Sequence, residues 1–336
     1  MHQRLVILCL MCIIAFAAWP AAMQDDTAEP ITADNVANLT TIMTLEGHTE
    51  GVTDVAFSPD GAWLASVGDD TALRLWSVAT GEPTAEVYEH GSFVKSVMFD
   101  PNDSSRLASG AWDRTIWIWE QAEGDLTPQT LLEDFGGIID PVRFSPDGTR
   151  LAFGVGDGTA RVIDLAGDAD AIVFELDALQ VTDMAFNPDG TLLATAGGFP
   201  DSTAQIWDIQ NEERSARLEG HAGAVTALAF SPDGEVIATG GDDSTLRLWQ
   251  DAEEIAMFEL EDWVTDLAFS PDGALLAVAL QNGDMVFWDL EASEVVATLS
   301  QTHAASVNAL TFNADGTLLA SAGEDSSLRL WQAAME

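Results

Sequence analysis

Few side-chain types in this chain could carry acid–base or metal chemistry. The sequence holds five histidines and two cysteines against 56 acids. Histidine is the usual general acid–base and a common metal ligand near neutral pH, so the placement of those five decides much. His2 lies in the N-terminal leader. His48, His90, His221 and His303 each stand just before a short apolar run such as VTDVAF or VTALAF. One recurring position accounts for all four, which leaves none for catalysis or for a metal. Cys9 and Cys12 also fall in the leader. The rest of the chain therefore has no disulfide, thiolate metal site or cysteine nucleophile. Acid pairs such as Asp69–Asp70 and Asp242–Asp243 are of a type that binds calcium or hydrolyses glycosides. No calcium-loop spacing and no glycine-rich phosphate loop accompanies them. No cofactor and no metal are expected, although carboxylates that converge only in the fold carry no sequence signal.

The elements that must position these residues repeat. Phe57, Phe99, Phe144, Phe186, Phe230, Phe269 and Phe312 recur 39 to 45 residues apart. Each is followed by SPDG or a variant of it, which is DPND at 100, NPDG at 187 and NADG at 313. A second landmark falls at Trp76, Trp119, Ile163, Trp207, Trp249, Trp288 and Trp331. The run before SPDG is short, apolar and partly β-branched, as a strand is. In SPDG the proline fixes φ, the aspartate bonds its own backbone and the glycine takes φ > 0, which makes a turn. EVIATGG then reads as a second strand, and TLRLW alternates as a half-buried third. A weaker fourth strand follows, as in EPTAEVYEH. Four antiparallel strands per unit at this period predict a propeller blade.

These residues resemble the WD-repeat β-propeller family over about residues 39–336. The resemblance implies an all-β, seven-bladed propeller of four-stranded antiparallel sheets. It also implies a hydrogen-bonded ladder inside each blade, running histidine, Ser or Thr, aspartate and tryptophan. Complete ladders are expected at His48/Ser66/Asp70/Trp76, His90/Ser109/Asp113/Trp119, His221/Thr239/Asp243/Trp249 and His303/Ser321/Asp325/Trp331. Buried imidazole, hydroxyl, carboxylate and indole groups are tolerable only as a closed network. Blade three loses three members together, having Phe153 and Ile163 and no histidine. Blade four keeps Thr195, Asp201 and Trp207 without the histidine, and blade six has Val278, Asn282 and Trp288. The chain ends on a third strand, so LTTIMTLE at 39–46 is expected to supply the fourth strand of blade seven and close the ring.

Bulk properties narrow the partners. Acids exceed bases so far that the formal net charge is −44, and Lys95 is the only lysine. Nucleic acid and anionic membrane surfaces, both bound by positive charge, are excluded as partners. The excess acidity fits either a high-salt habitat, where screening relieves self-repulsion, or an ordinary acidic exported protein. Residues 1–23 carry Arg4, an apolar run from Leu5 to Ala18 and small residues after it, the layout of a secretory signal peptide. Residues 24–38 are expected to be an acidic linker. An export signal with no cysteine in the mature chain points to a bacterial protein outside the cytoplasm (periplasmic, cell-surface or extracellular).

Propellers of the resembled family mostly bind proteins or peptides on the narrow face around the channel mouth. The positions that usually face it include Phe93, Lys95, Trp112, Ile138 and Trp263 here, and Phe199 lies next to one. Large aromatics on an exposed face are typical interface anchors, and Lys95 is placed to meet a partner carboxylate. The expected function is a non-catalytic, monomeric scaffold for a protein or peptide. The alternatives are an exported propeller hydrolase with a central carboxylate or metal site, and a cell-surface carbohydrate binder.

Overall fold

The computed structural model describes residues 28–133, 135–167 and 170–334; the leader at 1–23 lies outside them. Seven four-stranded antiparallel sheets are arranged as blades around a central channel. Blade one shows the plan: Val52–Phe57 lines the channel, followed outward by Trp63–Gly68, Leu73–Ser77 and Pro83–Val87. Second strands are sandwiched by neighbouring blades on both faces, so they read as unbroken apolar runs. Leu275–Leu280, LLAVAL, is buried at every residue. Outermost strands meet water on one side and are mostly exposed, as in Glu213–Glu219.

The ring closes as expected. Leu39–Glu46 pairs antiparallel with Ser327–Ala333, from Leu39↔Ala333 to Glu46↔Ser327, and completes the last sheet. The first and last strands of the chain are thus one sheet, which removes the gap a linear repeat array would leave. Core clusters straddle the seams between blades. Trp119 of blade two packs with Ala65, Leu73 and Leu75 of blade one, and Trp76 with Ala320 and Leu330 of blade seven. A single blade could not bury both of its apolar faces, and the repeat exists because its neighbours do it.

The turns follow the residue chemistry. In SPDG, the Ser58 hydroxyl donates to Asp60 at 2.6 Å, the Ala62 N–H donates to the same carboxylate at 3.0 Å, and Gly61 has φ of +68°. The tight turn before each third strand also demands a left-handed residue. Blades three and six use glycine there (Gly158, Gly283), while Thr71, Arg114, Ser202, Ser244 and Ser326 take it in the others.

The expected linker at 24–38 is corrected over its described part. Ile31 donates its N–H to the Gly316 carbonyl at 2.8 Å. Ile31 and Val36 are fully buried with Leu275, Phe287 and Trp331, and Val36–Asn38 forms one short 3-10 turn. Two apolar side chains in an otherwise polar stretch are enough to dock it on the last two blades. Residues 24–27 lie outside the described residues.

Candidate functional site

All four complete ladders form. His48 Nδ1 lies 2.9 Å from Asp70, His48 Nε2 2.8 Å from the Ser66 hydroxyl, and Trp76 Nε1 donates to that hydroxyl at 2.8 Å. His90 bridges Asp113 (3.1 Å) and Ser109 (2.7 Å), and Trp119 donates to Ser109 at 2.9 Å. His221 bridges Asp243 (3.0 Å) and Thr239 (2.9 Å), with Trp249 at 2.8 Å from Thr239. His303 bridges Asp325 (2.9 Å) and Ser321 (2.7 Å), with Trp331 at 2.9 Å from Ser321. An ionised aspartate is acceptor-only, so it fixes the tautomer: Nδ1–H donates to Asp, Nε2 accepts the hydroxyl proton, and the hydroxyl oxygen accepts the indole N–H. Burial opposes the charge on Asp113, yet bonds from His90, Thr115 and the Gly91 N–H prevail and hold it at about 2. Asp325 is likewise held at about 2 against burial, by the Ala304 N–H, His303 and Ser327. Burial pushes the His221 and His303 imidazoles down despite their aspartates, so they stay neutral. These histidines are structural, and their donors and acceptors are spent within the blades.

The incomplete ladders are repaired in different ways. Blade four still has Trp207 donating to Thr195 at 2.9 Å, and Arg217 pairs with the buried Asp201 in the histidine's place. Blade three fills the space with Phe153, fully buried, and Phe135, whose ring centre lies 4.6 Å from it. Blade six is not repaired: Val278 offers no acceptor, and the buried Trp288 indole N–H has no partner among the described residues.

The channel holds about 850 Å³ and contains the carboxylates that the sequence hides. Asp54 accepts the N–H of Val97 on the next blade at 2.9 Å, Asp183 that of Leu228 at 2.9 Å, and Asp266 that of Leu310 at 2.6 Å. One level up, Thr53, Thr182, Thr226 and Thr265 donate across to the carbonyls of Val94, Val225, Val264 and Val307. Asn308 closes this hoop by donating to Val52 at 3.0 Å. Lys95 and Asp140 occupy the two remaining positions of the hoop. Arg143 donates to Asp183 at 2.9 Å and lies 4.0 Å from Asp54. These carboxylates line the channel but are largely walled in by protein. Burial, reinforced by Asp54 and Asp183 and opposed by Lys95 and Arg143, raises Asp140 to about 7. Burial and the Asp183 charge raise Asp266 to about 8. Among the described residues, no group of three His, Cys, Asp or Glu side chains is placed to hold a metal ion. Asp54, Asp183 and Asp266 are clasps between blades.

At the mouth the geometry singles out alternate blades. In each blade the residue before the first strand is tied to the turn before the third. Trp112 N–H donates to the Phe93 carbonyl at 3.0 Å, and Gln281 N–H to the Trp263 carbonyl at 3.0 Å. Phe93 and Trp112 are about 40% exposed, with ring centres 5.6 Å apart, and Trp263 is 46% exposed. Lys95 does not point to solvent as expected. It is mostly buried, forms an ion pair with Asp69, and sits 4.8 Å from the Trp112 ring centre and 5.4 Å from that of Phe93. The lysine meets the chain's own carboxylate and braces the aromatic pair by cation–π contact. Ile138 is half-buried, and its side chain lies over Gly156. In blade four the equivalent turn residue is Gly198, whose N–H donates to Gln180, and the longer loop pushes Phe199 out to 75% exposure. Leu179 beside it is also exposed and is the apolar mouth residue that the sequence alone does not flag. A leucine within a polar turn, DALQ, is its only trace. Trp117 packs on Trp119 on the outside of blade two.

The comparisons with known proteins agree with this geometry. The model of the WD domain, G-beta repeat, matches residues 39–77, 81–120, 173–208, 212–250 and 293–332, more than half of the chain. The chain therefore belongs to the WD-repeat family, as a seven-bladed propeller. A model of the anaphase-promoting complex subunit 4 WD40 domain also matches 249–306. Blade three, which lacks the ladder, is the longest stretch without a repeat match. The chain is 35% identical over 133 residues to eukaryotic translation initiation factor 3 subunit I of Pyricularia oryzae, covering 38% of each. It is 29% identical over 202 residues to small ribosomal subunit protein RACK1y of Oryza sativa, covering 45% of this chain and 59% of that one. With guanine nucleotide-binding protein subunit beta of Zea mays it shares 28% over 321 residues, 88% of this chain and 84% of the other. The matches to the first two thus span less than two thirds of those proteins.

These relatives are non-enzymatic WD-repeat proteins named as subunits of larger assemblies, which sets the hydrolase alternative aside. They also correct the expectation of a protein placed outside the cytoplasm, and nothing among them indicates a bacterial origin. They are eukaryotic, and a translation initiation factor subunit and a ribosomal subunit protein work inside the cell. The expected signal peptide at residues 1–23 lies outside the described residues. Among the described residues, no helix is long and apolar enough to cross a membrane.

Proposed function

We propose that this propeller is a monomeric, non-catalytic scaffold that holds a protein or peptide partner on its channel-mouth face. The observation that carries the reading is the Phe93–Trp112 pair. Two large rings stand in water, held rigid by a lysine that is itself anchored by Asp69. Pre-organised aromatics contribute affinity because little side-chain freedom is lost on binding. Trp263 on blade six and Phe199 with Leu179 on blade four add two further apolar points, spaced on alternate blades around the mouth. The surrounding chain is strongly acidic, so the face favours a segment with apolar anchors and basic flanks. The test is quantitative capture from lysate of the source cells. The wild-type chain is compared with Phe93→Ala/Trp112→Ala/Trp263→Ala and with an outer-strand control, Val173→Ala. A protein retained by wild type and control but depleted at least tenfold by the triple variant supports the reading. Equal retention by all three chains refutes it.

A further inference from the structure

Six blades place an indole against the preceding blade, and each of those six tryptophans is buried. Blade three has Ile163 there instead, and Ile163 is only half-buried. The seam shows what is missing. Trp119 of blade two packs over Leu75 and Ala85 of blade one, a neighbouring pair on that sheet. The equivalent pair on blade two is Ile118 and Thr130, and it faces Ile163. Phe153 and Phe135 take up the inner part of the absent ladder and leave the outer part of the seam open. What remains is a groove of about 600 Å³, lined by Ile118, Leu132, Ile163 and Leu165, with Glu120 and Arg106 among its polar residues. Arg106 is held in place, donating to Asp100 at 2.7 Å and to the Gly148 carbonyl across the seam at 2.7 Å.

We infer that this groove between blades two and three is a binding site for a small planar aromatic ligand of the indole class, neutral or cationic. Its volume lies within the range of small-molecule sites, about 300–1,000 Å³. Its apolar lining is the same kind of surface that receives an indole at the other seams. Apolar cavities left by a missing side chain bind apolar molecules of matching shape. The charge preference follows from the lining acids: Asp103, Glu120 and Asp164 face a single base, Arg106, whose guanidinium is already paired. The Glu120 carboxylate has no hydrogen-bond partner among the described residues and is available to accept an indole N–H. The site lies in a seam between blades, away from the channel mouth, so it is independent of the scaffold reading.

The experiment titrates the full chain with indole, tryptamine and indole-3-acetate, followed by saturation-transfer NMR and calorimetry. Saturable binding of indole is expected, with tryptamine equal or tighter and indole-3-acetate at least tenfold weaker. Ile163→Trp fills the groove from blade three and is expected to weaken indole at least tenfold. Should that variant misfold, Thr130→Trp covers the groove from the exposed outer strand and is expected to do the same. Absence of saturable binding up to the solubility limit of indole overturns the proposal. So does affinity unchanged in a folded blocking variant. Tightest binding by the anion overturns the charge class.

Discussion

Replacing Val278 with threonine should stabilise the protein, although it puts a hydroxyl into the core. Val278 occupies the position that Ser66, Ser109, Thr195, Thr239 and Ser321 hold in their blades, and the Trp288 indole N–H beneath it has no acceptor among the described residues. Blade four shows what threonine does there without a histidine. Thr195 accepts the Trp207 N–H at 2.9 Å, and its hydroxyl lies 3.5 Å from the Gln205 carbonyl. The equivalent carbonyl in blade six belongs to Val286. A buried donor left unpaired costs about 1–3 kcal/mol, and a new buried hydrogen bond returns about 1 kcal/mol net. Valine and threonine are close in shape, so little packing is lost. We expect Val278→Thr to gain about 1 kcal/mol, or roughly 2 °C in Tm for a chain of this size. The assay is urea unfolding of wild type, Val278→Thr and Val278→Ala, with the indole N–H resonance of Trp288 followed by hydrogen exchange. Val278→Ala removes methyl groups without adding an acceptor and should destabilise. If Val278→Thr is destabilised by 1 kcal/mol or more, or if the Trp288 N–H gains no protection, hydroxyl desolvation outweighs the bond and the ladder reasoning fails.

Further outcomes follow from the same structure. Ser109→Ala strips the partner from both His90 Nε2 and Trp119 Nε1 and should cost about 2–4 kcal/mol by denaturant unfolding. In the channel, Asp140 is raised to about 7 and Asp266 to about 8, so folding takes up protons on these groups. Their contribution is fully present below the unfolded value near 4 and is lost as pH rises through 7 and 8. Tm should therefore fall between about pH 5 and pH 8, and Asp140→Thr, which restores the hoop residue of most blades, should flatten that fall; an identical slope in the variant contradicts it. Asp113 and Asp325 run the opposite way: held at about 2, they stabilise above pH 4, and that contribution disappears as pH drops from 4 towards 2. Ile31→Ala should cost about 2–5 kcal/mol by thermal or urea unfolding, although its neighbours read as linker.

The fold was legible because it is written seven times. The SPDG turn and the tryptophan carry their own chemistry, so blade number, ladder pairs and ring closure could be read without any long-range information. Departures were legible too: Val278 and Ile163 stand out only against their six equivalents. What stayed hidden depends on geometry between blades. Asp54, Asp183 and Asp266 sit in VTDVAF-like runs with nothing to show that they reach the next blade's backbone. Lys95 looked free because its partner Asp69 belongs to another blade. Ile31 and Val36 were masked by the acids around them. At the mouth, Phe93, Trp112 and Trp263 were found by position, whereas Leu179 needed the loop conformation.

The scaffold reading is tested most directly by placing a photo-crosslinking amino acid at single positions in the full chain and irradiating living source cells. Positions 112 and 263, on the mouth, are compared with 173 and 255, which are exposed on outer strands. The account predicts the same crosslinked protein from 112 and 263, and its absence from 173 and 255. Adducts that form from the outer strands while the mouth positions stay silent would contradict it.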